Sequence, residues 1–142
     1  MADKKNIAVV GATGAVGTVF LSILEERNFP VGKLRLCASI KSLGKRLTVN
    51  GAQIEIELLT PELVEDVDIL FVSASSEISH LAASMLTNSN TILIDDSSAF
   101  RMDENVPLVV PEVNASALDA IQNIVSIPNC STTPLVMAIK PL

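Results

Sequence analysis

Apolar residues fall in short runs divided by turn-forming stretches, and the runs switch between two periods. Asn6 to Val10 is a brief apolar run suited to a buried strand, and it feeds a glycine-rich loop. From Val16 to Arg27 the apolar positions become Val16, Val19, Phe20, Ile23 and Leu24, a helical spacing closed by Pro30. Leu34 to Ala38 predicts a second strand. Leu47 to Leu59 alternates about Asn50-Gly51, which predicts a hairpin with Ile54 and Ile56 on one face and Glu55 and Glu57 on the other. Asp68 to Val72 predicts a buried strand, Ile78 to Leu86 a helix, Thr91 to Ile94 a strand, and Leu108 to Val110 a shorter one. Ala115 to Ile121 is expected to be helical, with Asn114 as its cap. Ile124 to Ile127 reads as a last strand that turns, through Pro128, into an apolar, helix-compatible run.

Strands alternating with helices predict an α/β fold: a Rossmann-like, doubly wound, mostly parallel and right-handed sheet with helices on both faces. No repeat, low-complexity tract or linker interrupts it, so residues 1–142 are read as one domain. Hydrophobic residues make up 49% and charged residues 18%, which suits a buried core. With aromatics at 3% and no Trp or Tyr, that core falls to Val, Ile, Leu and Ala, the palette of a covered parallel sheet. The net charge of −6 offers no basic surface for nucleic acid or an anionic membrane. No apolar run approaches the ~18 residues of a membrane-spanning helix. Met1-Ala2-Asp3-Lys4-Lys5 leads into a strand rather than the apolar core of a signal peptide. Two distant cysteines make no disulfide framework, and a thiolate nucleophile needs reducing conditions, so the expected address is the cytoplasm.

The glycines of Gly11-Ala12-Thr13-Gly14-Ala15-Val16-Gly17 stand directly after the first strand and before an amphipathic helix. Without side chains there, a backbone turns tightly and approaches a pyrophosphate seated on the helix N-terminus. A plain strand-to-helix turn also uses glycine; the placement is what favours nucleotide binding. Gly11, Thr13, Gly14, Ala15, Val16 and Gly17 are the candidate contacts. An NAD site usually carries Asp or Glu after the second strand to hold the ribose 2′-hydroxyl. Here the chain reads Cys37-Ala38-Ser39-Ile40-Lys41-Ser42, with Lys45 and Arg46 just beyond. Ser39, Lys41 and Ser42 fit a 2′-phosphate, so NADP is expected; the plainer alternative leaves Lys41 and Lys45 as solvated loop charges. Ser73, Ala74 and Ser75, small residues after the Asp68–Val72 strand, complete the cofactor set.

Asn129-Cys130-Ser131-Thr132-Thr133-Pro134 places a thiol at the start of the last helix. Backbone N–H groups there lack intrahelical partners, and their partial positive charge favours the nucleophilic thiolate. Loop and thiol together suggest redox chemistry on a carbonyl, using a dinucleotide. Cys37, inside an apolar strand, reads as core. His80 has no Cys, Asp or second His nearby to make a triad or metal pattern, so a surface or helix-cap role is expected and no metal. Asp95 and Asp96 end a strand where ligands bind in such sheets, but Ser97-Ser98 beside them make a hydrogen-bonded turn the duller explanation.

The glycine loop, Asp96-Ser97-Ser98-Ala99-Phe100-Arg101, Val106-Pro107-Leu108-Val109-Val110-Pro111-Glu112-Val113-Asn114 and Pro128-Asn129-Cys130-Ser131-Thr132 together resemble the aspartate-semialdehyde dehydrogenase family, in order and over essentially the whole chain. The resemblance implies that Cys130 is the nucleophile, that Asn129 shapes the site around it, and that Arg101 grips the phosphate of an acyl-phosphate substrate. It implies NADP as cofactor and a homodimeric parent. The implied reaction is reversible: Cys130 attacks the aldehyde of aspartate 4-semialdehyde, hydride passes to NADP, and phosphate cleaves the thioester to aspartyl phosphate. Run in reverse, it serves lysine, threonine and methionine biosynthesis. One departure stands out: where the family commonly has two glycines beside the cofactor, this chain has Ser75-Ser76, which are expected to crowd the nicotinamide half. The family enzyme is more than twice this length, and its second half supplies an acid–base histidine, a carboxylate-binding arginine and most of the dimer interface. The chain is therefore expected to be an N-terminal fragment with little or no turnover alone. N-acetyl-γ-glutamyl-phosphate reductase shares the fold and a cysteine nucleophile, but the Asn129–Thr132 and Val110–Asn114 runs favour the first family. A nucleotide-binding module without chemistry is the alternative from another class.

Overall fold

A computed structural model describes residues 3–86 and 90–142; Met1 and Ala2, the first residues of the N-terminal reading, lie outside the described residues. The elements follow one another as β1 (Lys5–Val10), α1 (Ala15–Glu26), β2 (Val31–Cys37), a 3₁₀ turn (Ile40–Ser42), β3 (Arg46–Val49), β4 (Ala52–Glu57) and α2 (Pro61–Glu65). Then come β5 (Ile69–Val72), α3 (Ser76–Ser84), β6 (Ile92–Asp95), α4 (Pro111–Asn114), a 3₁₀ segment (Ala115–Ala120), β7 (Ile124–Ser126) and α5 (Thr132–Ile139). Among the described residues the strands form one sheet in the order β3-β4-β2-β1-β5-β6-β7. Only the β3–β4 hairpin is antiparallel; every other pairing is parallel. The α/β doubly wound architecture expected from the alternation is the one observed.

Strand periodicity divides the core in two. Ile7 and Val9 of β1 face Leu21 and Leu24 of α1, together with Leu36, Ile56 and Phe71. Ala8 and Val10 face the other way, with Leu70, Val72 and Leu93, against Leu63 and Val64 of α2 and Ala82 of α3. Helices thus cover both faces, and each strand must be apolar on both sides, which is why β1 and β5 read as unbroken apolar runs. Phe20 of α1 stacks on Phe71 of β5 with ring centroids 4.0 Å apart and planes 7° from parallel; such a pair adds about 0.5–1.5 kcal/mol beyond its buried area. Thr91 ties β6 to the end of α2, its hydroxyl shared between the carbonyls of Val64 (2.8 Å) and Val67 (2.7 Å).

The hairpin turn is as expected, with Asn50 at φ 49° and Gly51 at φ 75°, the paired positive angles of a tight two-residue connection. Where the hairpin joins the sheet, Arg35 of β2 makes a two-pronged ion pair with Glu57 of β4, Nε to Oε1 at 3.0 Å and Nη2 to Oε2.

Two expectations need correction. Leu108 to Val110 is not a strand but a single parallel bridge, Leu108 to Ser126. Pro107 and Pro111 flank it, and a residue without an N–H cannot extend a ladder. Ala115 to Ile121 is helical as expected, but as a 3₁₀ segment behind the short α4, and Asn114, though at its N-cap position, makes no side-chain cap bond to it. Its side chain reaches backwards instead, accepting from Val110 N–H and donating to the Leu108 carbonyl, each at 2.9 Å.

Candidate active site

Register brings the carboxyl ends of five strands level. Val10 pairs with Cys37 and with Val72, Val72 with Asp95, and Asp95 with Ser126. The residues that follow, Gly11, Ala38, Ser73, Asp96 and Ile127, therefore emerge along one edge. Every candidate site residue lies in the loops or first helical turns beyond that edge, where ligands of open α/β sheets bind.

The glycine loop is shaped by close approach. Gly11 has φ +85°, and a Cβ there would lie 2.0 Å from the Ser73 carbonyl oxygen. At Gly17 a Cβ would meet the Gly11 carbonyl oxygen at 2.2 Å. The loop thus lies directly on the β5 end, and α1 lies directly on the loop. Gly11 and Ala12 N–H groups both bond the Cys37 carbonyl, at 2.9 and 3.1 Å, and Gly14 N–H bonds the Gly11 carbonyl at 2.9 Å. The first bond of α1 is Thr18 N–H to the Gly14 carbonyl, 3.0 Å, and no side chain caps the helix. The N–H groups of its first turn, at Ala15, Val16 and Gly17, are left for an anion.

Beside this loop is a cleft of about 530 Å³. Its lining brings together Gly11, Thr13, Gly14, Ser39, Ser73 and Ala74 of the predicted set. Lys41 and Ser42 sit on the 3₁₀ turn just after Ser39, Lys41 exposed and Ser42 half-buried. Ser75 precedes α3 as its N-cap residue. Cys37, Ala38, Leu58, Leu59, Ile78 and Leu81 also line the cleft and were not expected there. They belong to strand ends and to α3, and their apolar side chains give no signal in sequence beyond that of core. Cys37 is 1% exposed, and burial pushes its thiol up from 9.0 to about 12, as a core cysteine should behave.

Cys130 is exposed and stands two residues before α5. Asn129 organises its surroundings. The Asn129 Oδ1 accepts from Ser131 N–H at 3.0 Å, from Ser131 Oγ at 2.8 Å and from the Cys130 thiol at 3.6 Å. Its backbone carbonyl accepts from Thr132 and Thr133 N–H groups, at 2.9 and 3.1 Å. No side chain caps α5, whose N-cap residue is Ser131; Asn129 instead fixes the turn that presents the thiol, and its carbonyl receives the first N–H groups of the helix.

Arg101 is half-buried, with Nε donating to the Ile127 carbonyl at 3.0 Å and Nη2 to the Asp96 carbonyl at 2.8 Å. It bridges the ends of β6 and β7, and the guanidinium keeps further N–H groups beyond these two bonds. Cys130, Asn129 and Arg101 therefore share one end of the sheet, three strand spacings or about 14 Å from β1. His80, on α3, is exposed and stacks edge-on against Phe100 with centroids 4.9 Å apart, a surface contact. The Asp95–Ser97 turn is present, with Ser97 N–H and Oγ bonded to the Asp95 carboxyl at 3.2 and 2.9 Å. Among the described residues no group of His, Cys, Asp and Glu is placed to hold a metal, and no helix is long and apolar enough to cross a membrane.

A family model described as the NAD binding domain of semialdehyde dehydrogenase matches residues 6–121. The aspartate-semialdehyde dehydrogenase of Rickettsia bellii (strain RML369-C) is 46% identical over 144 residues, covering 100% of this chain and 43% of the relative. That of Bacillus subtilis (strain 168) is 44% identical over 137 residues, covering 96% of this chain and 40% of the relative. Among solved structures, Vibrio cholerae aspartate semialdehyde dehydrogenase II complexed with ASA superimposes with TM-score 0.87 at 39% identity, covering 98% of this chain and 46% of that one. The Candida albicans aspartate semialdehyde dehydrogenase with NADP gives TM-score 0.82 at 25% identity, again covering 98% and 46%. The chain thus spans less than half the length of these relatives. On the match to the domain model and the geometry of cleft and thiol, the chain belongs to the semialdehyde dehydrogenase family, whose NAD-binding domain it carries.

Proposed function

We propose that this chain serves an NADP-dependent aspartate-semialdehyde dehydrogenase, which interconverts aspartyl 4-phosphate and aspartate 4-semialdehyde. The observation that carries the reading is the exposed Cys130, presented by Asn129 at the same sheet edge as the glycine cleft. Alone, neither a thiol nor a cleft favours one reaction; their common edge supports thiol chemistry on a carbonyl beside a dinucleotide.

The residues present fit a dinucleotide. The uncapped first turn of α1, held beside the cleft by the tight Gly11 and Gly17 approaches, suits a pyrophosphate. No acid follows β2; Ser39 and Lys41 stand there instead, which favours the 2′-phosphate of NADP. When bound, the dinucleotide exchanges the hydride that separates the aldehyde and acyl oxidation levels. Cys130 forms the covalent bond: its sulfur adds to the carbonyl carbon, giving a thiohemiacetal at the aldehyde level and a thioester at the acyl level, so one difficult substitution becomes two easier ones. Arg101 binds the phosphate that attacks the thioester or leaves in forming it, through N–H groups not engaged by Asp96 and Ile127. An exposed free thiol suits a reducing compartment, so we place the protein in the cytoplasm. Leu135, Met137 and Ile139 of α5, all exposed, support a helix that is covered by further protein in the whole enzyme, for which we propose a homodimer on the family resemblance.

Joined to the remaining length seen in its relatives, the chain is expected to reduce NADP in the presence of aspartate 4-semialdehyde and phosphate, and to lose this on Cys130→Ala. Faster turnover of N-acetylglutamate semialdehyde would overturn the substrate. For the cofactor, Lys41→Ala should weaken NADPH binding by roughly fivefold, the loss of one charge-assisted contact, and leave NADH unchanged. Equal effects on both would return Lys41 to a solvated loop charge.

A further inference from the structure

Three serine hydroxyls on one segment reach across to the next loop at intervals of three residues. Ser73 Oγ donates to Asp96 Oδ2 at 3.1 Å, Ser76 Oγ meets Ser98 Oγ at 3.2 Å, and Ser79 Oγ donates to Asp95 Oδ1 at 2.6 Å. The first segment, 73–79, walls the nucleotide cleft; the second, 95–101, ends in Arg101.

The innermost tie is the unusual one. Asp95 and Ser79 are both 0% exposed. Asp95 also accepts from Ser97 N–H and Ser97 Oγ, and Ser97 Oγ in turn accepts from Ala99 N–H at 3.0 Å. A relay therefore runs Ser79–Asp95–Ser97–Ala99 and stops two residues short of Arg101. The backbone carbonyl of Asp95 accepts from Ile127 N–H at 2.9 Å, and Arg101 closes the circuit on the carbonyls of Asp96 and Ile127.

Burying a carboxyl is costly unless donors saturate it, and an apolar side chain would fill the same space without that cost. Among the described residues the donors come from two places, α3 and the turn that carries Arg101. We infer that Asp95 is a positioning residue: it clamps the Ser97–Arg101 turn to α3 and so aims the guanidinium at a substrate phosphate. The inference rests on the reading of Arg101 as the phosphate ligand. It assigns the buried carboxyl a task in anion binding and none in dinucleotide binding.

The test is labelling of Arg101 by phenylglyoxal, followed by peptide mass spectrometry on the 142-residue chain, with inorganic phosphate as the protecting anion and NADPH saturating. Asp95→Asn and Ser97→Ala should each raise the phosphate concentration for half-protection about tenfold, the scale of one charge-assisted hydrogen bond. Ser97→Thr, which keeps the hydroxyl, should restore it. NADPH affinity should stay within about twofold throughout, which also reports that each variant is folded. Should Asp95→Asn not fold, Ser97→Ala carries the same expectation. Unchanged half-protection in the variants, or phosphate and NADPH affinities falling in step, would reduce Asp95 to packing while leaving Arg101 as the ligand. Failure of phosphate to protect Arg101 in the unmodified chain would instead overturn the reading of Arg101, and this inference with it.

Discussion

The two cysteines show how one residue type takes opposite roles from position alone. Cys130 is exposed on a turn, while Cys37 is closed into β2 with its thiol pushed up to about 12 by burial. A limiting electrophile at neutral pH is expected to label Cys130 and to reach Cys37 only on unfolding; peptide mapping showing equal labelling in the folded chain would remove the case for a presented nucleophile. Cys37 also makes a prediction about stability. The folded chain holds its proton to about 12, whereas the unfolded chain releases it above about 9.0. Stability should therefore fall as pH rises through that window, by up to about 1.4 kcal/mol per unit. Denaturant melts across the window should show the slope, and Cys37→Ala should flatten it; an unchanged slope in the variant would place its origin elsewhere. The thiol's placement was legible in the sequence, since Pro128 and the apolar run after it announce a helix start. The task of Asn129 in holding the turn was not, because it depends on three hydrogen bonds that only the folded loop makes.

Among the elements, the glycine loop and α1 separate folding from binding. A Cβ at Gly17 would strike backbone at Gly11 and Ala12, with the nearest atom at 2.2 Å, and backbone cannot swing aside. Gly17→Ala should destabilise the chain by about 2 kcal/mol or more and abolish NADPH binding. Gly14 is different: its φ is −77°, and a Cβ would meet only the Gly11 carbonyl oxygen, at 3.2 Å. Gly14→Ala should keep the fold, as read by thermal melts, and weaken NADPH through the cleft it lines. Matching losses of stability in the two variants would count against this division. The hairpin was readable because Asn50-Gly51 dictates its own turn. The 108–121 stretch was not: Pro107 and Pro111 deny it a ladder, and Asn114 spends its side chain on Val110 and Leu108 behind it. Helical periodicity alone cannot tell a 3₁₀ segment from an α-helix when so few residues are involved.

At the scale of the molecule, the sheet leaves apolar surface uncovered. Ile69, Ile92, Ile94 and Val125 floor a groove of about 350 Å³, with Leu118 and Ile121 at its side. Val16 and Val19 on α1, at 49% and 56% exposure, and Leu135 on α5, at 59%, add to it. Surface of this kind binds apolar partners or dyes. The chain by itself is expected to bind anilinonaphthalene sulfonate while folded, and to self-associate as its concentration rises against the repulsion of its −6 charge. A folded, monomeric chain that leaves the dye dark would mean these surfaces are covered in solution.

Sequence by itself determined the alternation of strands and helices, the glycine loop and the placement of the thiol, because each of these is written in local spacing or in a few consecutive residues; Arg101 stood out only through the family resemblance. Tertiary structure alone decided which of them meet. Parallel register sets Gly11, Ser73, Asp96 and Ile127 along one edge although they are far apart in the chain, and so puts cleft, arginine and thiol on the same side. It also buried Asp95 against Ser79, a pairing that no local pattern announces, because the energy of a hydrogen bond between distant segments depends on where the backbone carries them.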